Sequence, residues 1–160
     1  SGNKRHYIEW ATSVPGIGAA SCIRAWNGAN TVKVIVSDAN YTTVSGSLIK
    51  KVYERIAEQN PINAIVTVVS ATIKTINIEA RVRGQPNADD FKQAVQKYFR
   101  EIARAGLGKG SYVSIAKIGA LLLQSGAAQD YDSLTLNGAA ANISLTTEEL
   151  PALGRVVLHG

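Results

Sequence analysis

A chain of 160 residues is long enough for one domain or for two small ones, and 46% of its residues are hydrophobic while 18% are charged. That balance is typical of a globular protein and argues against a disordered chain. The net charge is +5, but the lysines and arginines are spread along the sequence. Because nucleic-acid-binding proteins usually gather basic residues on one face, the composition favours a solvated surface over a nucleic-acid partner.

Side chains that could carry chemistry are few. Cys22 is the only cysteine, so it forms no internal disulfide, and its apolar neighbours favour a buried thiol. The two histidines, His6 and His159, lie near opposite ends of the sequence. A cysteine nucleophile needs a neighbouring base, and a metal site needs clustered ligands. The sequence therefore predicts no catalytic residue, no metal, no cofactor and no small-molecule substrate.

The sequence contains no methionine. We therefore expect Ser1 and Gly2 to be a remnant of processing or cloning, and the chain to be a piece of a longer protein. No apolar run approaches the roughly 18 residues that a membrane-spanning helix needs. No signal peptide is visible either, so we expect no membrane partner.

The first elements predicted along the chain are a helix and two strands. The helix, at 7–13, should end at Val14-Pro15-Gly16, because a residue that precedes proline avoids the helical conformation. Strands at 19–26 and 31–37 should pair as a hairpin around the turn signal Asn27-Gly28. The second strand alternates between apolar and polar residues, with one exception, which is Ile35.

A second helix and a third strand complete the first half. Apolar residues recur at helical spacing over 47–59, with Ser47 as the expected N-cap and Asn60-Pro61 as the expected stop. The run 64–69 is rich in β-branched residues and predicts a strand that is covered on both faces.

The second half begins with a strand at 75–83, whose alternation directs the following side chains inward: Ile76, Ile78, Ala80 and Val82. Two helices follow, one over 89–105 capped by Asn87, and one over 114–125 capped by Ser114 and ended by Gly126.

Three short strands are predicted at the end of the chain. Those at 131–136 and 142–145 should form a hairpin around Asn137-Gly138, and 155–158 should close the fold. The fold class is therefore α+β, with two small subdomains, each a short, mostly antiparallel sheet covered by helices. We place the subdomains at 3–71 and 72–160, with the boundary within 70–74.

Two glycine-rich segments do not match nucleotide-binding motifs. Gly106–Ser111 lacks the Gly-Lys-Ser/Thr triplet of a phosphate loop and follows a helix rather than a strand. Gly16-Ile17-Gly18 lacks the third glycine of the dinucleotide fingerprint and a preceding strand. Only Trp26 and Tyr131 are candidate strand aromatics, too few for an RNA-stacking sheet.

Both tryptophans lie in segments that resemble a known family. Tyr7-Ile8-Glu9-Trp10-Ala11, then Val14-Pro15-Gly16-Ile17, then Trp26-Asn27-Gly28 ahead of a valine-rich strand, are similar to the baseplate J-like family of contractile phage tails. Glu149–Gly154, ahead of the strand Arg155–Leu158, is similar to the end of the same family. The resemblance covers nearly all of 3–159 and corresponds to the C-terminal half of a full-length member.

The resemblance implies a structural component of a baseplate wedge that acts by protein–protein assembly and catalyses no reaction. Its implied partners are other wedge proteins and copies of itself, and its implied location is the virion tail baseplate, assembled in the bacterial host cytoplasm. The source could be an infectious phage, a prophage remnant or a tailocin.

The alternative function is a stand-alone ligand- or nucleic-acid-binding α+β module, which would be expected to bind DNA or RNA with an affinity that falls as salt rises. A small hydrolase is a third possibility, which the absence of a central histidine disfavours.

The resemblance carries over packing residues and no catalytic residues. Two interpretations of these residues stay open: they hold the first helix against the hairpin, or some of them form an exposed subunit contact, where Trp and Tyr are common anchors. The family-motif residues are Tyr7, Trp10, Pro15, Gly16 and Trp26.

Overall fold

The computed structural model describes residues 3–59, 63–84 and 87–160 and confirms the α+β class. The predictions made for Ser1-Gly2 and Asn60-Pro61 lie outside the described residues. The elements in chain order are α1 (Lys4–Thr12), β1 (Ala19–Arg24), β2 (Thr31–Ser37), α2 (Gly46–Ala57), β3 (Ile65–Ser70), β4 (Thr72–Arg83), α3 (Ala88–Gly106), β5 (Tyr112–Val113), α4 (Ile115–Gln124), β6 (Asp130–Leu136), β7 (Ile143–Ser144) and β8 (Glu149–His159).

The chain divides into two compact units. Unit 1 holds the residues up to Ile73 together with two later segments, Gly106–Lys109 and Thr146–Leu150. Unit 2 holds Lys74–Ala105, Gly110–Leu145 and Pro151–Gly160. The division into subdomains at 70–74 stays a prediction, because a domain is defined by independent folding as well as by compactness.

Unit 1 is built on a three-stranded sheet in the order β1-β2-β3. The predicted hairpin of β1 and β2 is confirmed, with Cys22 opposite Val34, while β3 pairs with β2 in parallel. One face of the sheet carries α1 and α2 over an apolar cluster. The fully buried members of this cluster include Tyr7, Ala11, Val34, Val36, Val52 and Ile56.

The opposite face of this sheet explains why Ile35 breaks the alternation of β2. Ile35 and Ser37 point away from the α1 and α2 cluster, yet both are 0% exposed. The strand β3 does not match its prediction of cover on both faces, because Ile65 is 63% exposed and the other residues of β3 are half-buried. The reason is its position at an edge of the sheet, where only one side has a neighbouring strand.

The helix α2 begins one residue earlier than predicted, and its N-cap is Ser45 rather than Ser47. The Ser45 Oγ accepts a hydrogen bond from the Leu48 amide at 3.2 Å, which satisfies one of the unpaired amides at the helix start. Ser47 lies inside the first turn, and its hydroxyl is 3.0 Å from that of Ser45. The prediction failed because Gly46 gives no helical signal of its own.

Unit 2 contains a second three-stranded sheet, in the order β6-β4-β8. The predicted alternation of β4 is confirmed, since its four inward residues are all at most 3% exposed. The helices α3 and α4 supply much of the rest of this core. Their fully buried side chains are Phe91, Val95, Ile118 and Leu122.

The predicted hairpin between 131–136 and 142–145 is wrong. Asn137 and Gly138 do form a turn with positive φ at both residues (51° and 84°), but β6 pairs with β4. The strand β7 pairs instead with β5, with Val113 opposite Ile143. The turn is where the sequence predicts it. The strand that follows the turn has a different partner, because turn chemistry alone does not select the partner of a strand.

The helix caps of unit 2 are those predicted. Asn87 Oδ1 accepts from the Asp89 amide at 3.2 Å, and Ser114 Oγ accepts from the Lys117 amide at 3.1 Å. Gly126 follows α4 with a φ of 76°. The Tyr98 hydroxyl of α3 accepts a hydrogen bond from the Ser114 amide at 3.0 Å, which joins the two helices of this core.

We expect Tyr98→Phe to lower the free energy of unfolding by about 1–2 kcal/mol, because the half-buried Ser114 amide loses its acceptor. Tyr112→Phe is the control, since Tyr112 is 55% exposed and its change should be close to zero. Urea unfolding of both variants measures the difference. Equal stability of the two variants would contradict this role for the Tyr98 hydroxyl.

Candidate functional site

The first two motif residues lie together on α1. Tyr7 is 1% exposed, and its ring meets that of Trp10 edge-on, with centroids 5.3 Å apart. The other side of Trp10 stacks on His6 at 5.8 Å. Offset and edge-to-face ring pairs of this kind add to the free energy of apolar burial. The contact between Tyr7 and Trp10 therefore has the geometry of a core contact. Tyr7 is buried, whereas Trp10 and His6 are partly exposed.

Pro15 and Gly16 form the corner between α1 and β1. The Ile17 amide donates to the Val14 carbonyl at 3.1 Å, and Gly16 has a φ of 100°. Proline followed by a residue with positive φ is the sequence pattern of a type II turn, which glycine adopts without strain. Both side-chain positions are exposed, so these two residues direct the chain and add little to the core.

Trp26 lies at the other end of β1, in the tight connection to β2. Its ring is 39% exposed. The connection contains two non-glycine residues with positive φ, Ala25 at 55° and Asn30 at 64°. The Thr31 hydroxyl closes it, donating to the Gly28 carbonyl at 2.7 Å. Positive φ at alanine costs free energy, so the surrounding hydrogen bonds hold the conformation that presents this indole.

The Lys33 ammonium lies over the face of the Trp26 indole. Its Nζ lies 4.1 Å from the centroid of the Trp26 ring and 2.9 Å from a carboxylate oxygen of Glu148. The side chains of Lys33 and Glu148 are only 16% and 32% exposed. A cation held over an aromatic face is attracted by the ring quadrupole, more strongly when it is partly desolvated. We call these three residues, Trp26, Lys33 and Glu148, the tryptophan clamp.

Glu148 reaches the clamp because the segment Thr146–Leu150 is bonded into unit 1. The Thr72 amide donates to the Glu148 carbonyl at 2.8 Å, and the Gly108 amide donates to the Thr147 carbonyl at 3.0 Å. Gly108 has a φ of 81°, and a Cβ there would collide with the side chain of Ser21. Glycine is therefore required at position 108, where the segment Gly106–Lys109 meets β1.

The remaining reactive groups are the Cys22 thiol and the possible metal ligands in the described part of the chain. Cys22 is 4% exposed, and burial raises the pKa of its thiol, while Lys4 and Arg24 lower it by a smaller amount. No group of three or more His, Cys, Asp or Glu residues among those described could hold a metal ion. Of the described helices, none combines the length and apolarity required to span a bilayer.

The structure thus brings Tyr7 and Trp10 together and separates them from Trp26 by the length of β1. Lys33 and Glu148, the two partners of the Trp26 ring in the clamp, are not indicated by any sequence motif. In the sequence, Lys33 is only a polar residue on one face of a strand. Glu148 is 115 residues further along the chain, and no local pattern could have joined it to Lys33.

Comparison with protein families matches both halves of the chain. The family model described as "Baseplate J-like central domain" matches residues 1–70, and the one described as "Baseplate J-like protein C-terminal domain" matches residues 76–159.

Curated relatives and a solved structure agree with these matches. Two Bacillus subtilis (strain 168) proteins, "Phage-like element PBSX protein XkdT" and "Uncharacterized protein YqbT", are each 34% identical over 98% of this chain. The chain spans about half the length of these relatives (47%). The fold is similar to that of a chain in a cryo-EM structure of the anti-feeding prophage baseplate, with a TM-score of 0.53, 15% identity, and coverage of 92% of this chain and 36% of that one.

We expect Glu148→Gln to lower the free energy of unfolding by about 1 kcal/mol, because the poorly exposed Lys33 ammonium loses its countercharge. The matched control is Glu9→Gln, which breaks an exposed pair with Arg5 and should change stability by roughly 0.3 kcal/mol or less. Urea unfolding measures both. A larger effect from the exposed pair would contradict the clamp as a stabilising contact.

The buried thiol predicts a pH dependence. Because the pKa of Cys22 in the folded chain is above its ordinary value of 9.0, the unfolded chain releases this proton first, so stability falls as pH rises above about 9. Cys22→Ala should weaken that fall in the range just above pH 9, because burial raises the pKa of Tyr7 and of Tyr98 above the ordinary value of 10.0. Urea unfolding of both proteins across this range tests it. Identical pH dependences would show that the thiol is not responsible.

Proposed function

This chain belongs to the Baseplate J-like family, and from that membership we propose that it is a structural component of a contractile phage-tail baseplate wedge, acting by protein–protein assembly. The single observation that carries the proposal is the pair of consecutive family matches, which together account for almost the whole chain. The relative named as part of a phage-like element and the fold shared with a prophage baseplate chain support it. The same observations are compatible with a phage, a prophage or a tailocin.

We further propose that the chain catalyses no reaction and works through its surfaces. The support is the state of its one thiol, which is buried in the core under α1 and α2 with a raised pKa. A cysteine nucleophile depends on a lowered pKa and on access to substrate. His6 stacks on Trp10, and His159 pairs with Glu79 at 2.7 Å, so both rings have structural contacts.

The proposed partners are other wedge proteins and further copies of the chain. The proposed location is the tail baseplate of the virion, after assembly in the host cytoplasm. Deleting the full gene should leave tail particles without a complete baseplate when lysates are imaged by electron microscopy. Expression of the gene in trans should restore it, and complete baseplates in its absence would refute the proposal.

The five motif residues divide into two roles under this proposal. Tyr7 and Trp10 hold α1 against the sheet, and Pro15 and Gly16 shape the corner that follows. Trp26 is the contact residue, because it combines a large exposed ring with a fixed conformation. Rigid aromatic anchors lose little conformational entropy on binding, which is why tryptophan is common among interface residues that dominate affinity.

Paired substitutions separate these roles. Tyr7→Ala should lower the free energy of unfolding by about 3–5 kcal/mol, because it empties a fully buried aromatic position. Trp26→Ala should lower it by roughly 1 kcal/mol or less, and yet abolish incorporation of the protein into baseplates. Urea unfolding and immunoblots of purified tails give the two readouts. Normal incorporation of a folded Trp26→Ala protein would remove Trp26 from the contact.

A further inference from the structure

The edge strand β3 differs from the other described strands in its lack of charge. Every other described strand longer than two residues contains a charged side chain, such as Arg24 in β1 or Lys33 in β2. The run 63–73, which includes β3, contains none, and β3 contains no proline. Charges, prolines and bulges are the usual means by which an exposed strand edge is kept from pairing with another chain.

The free side of β3 carries backbone groups of known direction. The Ile65 amide donates to Asn30 at 2.8 Å, and the Ala71 amide donates to Val36 at 2.7 Å, so the odd-numbered residues of β3 face β2. Successive residues of a strand alternate in the direction of their backbone groups. The N–H and C=O groups of Val66 and Val68 therefore point outward, where no other described strand pairs with them.

A groove accompanies this edge. It lies between α2 and the start of β3, has a volume of about 250 Å³, and is lined by residues that include Ile56, Ala57 and Val66. Two of the residues that line it are among the large apolar residues exposed in the described part of the chain, Tyr53 at 49% and Ile65 at 63%. A further strand that pairs with the free edge of β3 would cover them.

We propose that β3 pairs antiparallel with β3 of a second copy of this chain across a two-fold axis. Because the run 63–73 contains no charged residue, two copies of this edge can pair without repulsion between like charges, and one strand supplies both partners. With Thr67 on the axis, Val66 of each copy lies opposite Val68 of the other. Those are the residues whose backbone groups point outward, so the register forms four intermolecular hydrogen bonds.

The pairing also matches the two faces of the sheet. Val66 and Val68 lie on the α1 and α2 face, and both pack against its apolar cluster. A two-fold axis perpendicular to the sheet keeps that face continuous between the copies. The valines then meet one another on one face and the two Thr67 side chains meet on the other, and both are favourable cross-strand pairs. This pairing specifies one contact of the assembly role proposed above and rests on that role.

Cysteine cross-linking tests the register. At the Thr67 pair, which is not hydrogen-bonded, opposite Cα atoms in an antiparallel ladder lie about 4.5 Å apart, within the range that a disulfide spans. In a Cys22→Ala background, Thr67→Cys with added oxidised glutathione should give a covalent dimer on non-reducing gels. Thr72→Cys, exposed but beyond β3, is the matched control and should stay monomeric. Cross-linking of the control as efficiently as Thr67→Cys overturns the register.

Oligomeric state tests the contact itself. Sedimentation equilibrium should show a dimer for the unmodified chain, and Ile65→Lys should raise its dissociation constant about tenfold or more, because in this register it places a charge opposite Val69 of the other copy. Leu123→Lys is the control, because Leu123 is 43% exposed on α4, and it should leave the dimer unchanged. Circular dichroism checks that both variants fold.

Hydrogen exchange adds a local readout, since the Val66 and Val68 amides should be protected in the dimer and exchange faster in Ile65→Lys. A monomeric unmodified chain, a dimer that Ile65→Lys leaves intact, or capture of a different protein by this edge would each overturn the second copy as its occupant. Dimerisation is measured on the purified chain, whereas baseplate assembly is measured in cells. Failure of the strand pairing is therefore distinguishable from failure of the proposed function.

Discussion

Unit 1 depends on the cover of one sheet from both sides. The helices α1 and α2 bury one face of β1-β2-β3, and the residues of the opposite face, such as Ile35 and Ser37, are equally inaccessible. Two segments from much later in the chain are bonded to this unit, through Gly108 and through Glu148. A three-stranded sheet with one open apolar face would be marginal in water, so these distant segments are part of what makes the unit stable.

The same constraint accounts for the tryptophan clamp. Lys33 lies on the face that the later segments cover, and its side chain keeps little exposure. A desolvated ammonium needs a countercharge, which the segment Thr146–Leu150 supplies as Glu148. The charge that Glu148 holds in place is the one that fixes the Trp26 ring. The exposed aromatic surface is therefore connected to the packing of the sheet by charge, while the Tyr7 ring is buried in the apolar cluster of the sheet.

The sequence predicted those parts of the fold that local physics determines. The alternation of β4, the positions of the helices α3 and α4, and the caps at Asn87 and Ser114 are properties of short windows, and the structure contains them. Selection of strand partners is a property of the whole chain. The pairing of β7 with β5 instead of β6, and the reach of Glu148 to Lys33, depend on contacts between residues far apart in sequence. The family resemblance identified the aromatic residues of the motif, but only the fold distinguishes a buried Tyr7 from an exposed Trp26.

Trp26 and β3 offer a partner two different kinds of contact. A fixed indole contributes apolar area and needs a pocket of matching shape, so it favours specificity for one neighbour. A strand edge contributes backbone hydrogen bonds, which are independent of side-chain identity, and its specificity comes from the side chains around it. In β3 those neighbours are uncharged, whereas the edge strands of the other sheet, β6 and β8, expose Asp132 and Arg155. Charge is thus retained on those edges and missing along β3, which is the distribution expected if the edge of β3 is covered in the working assembly.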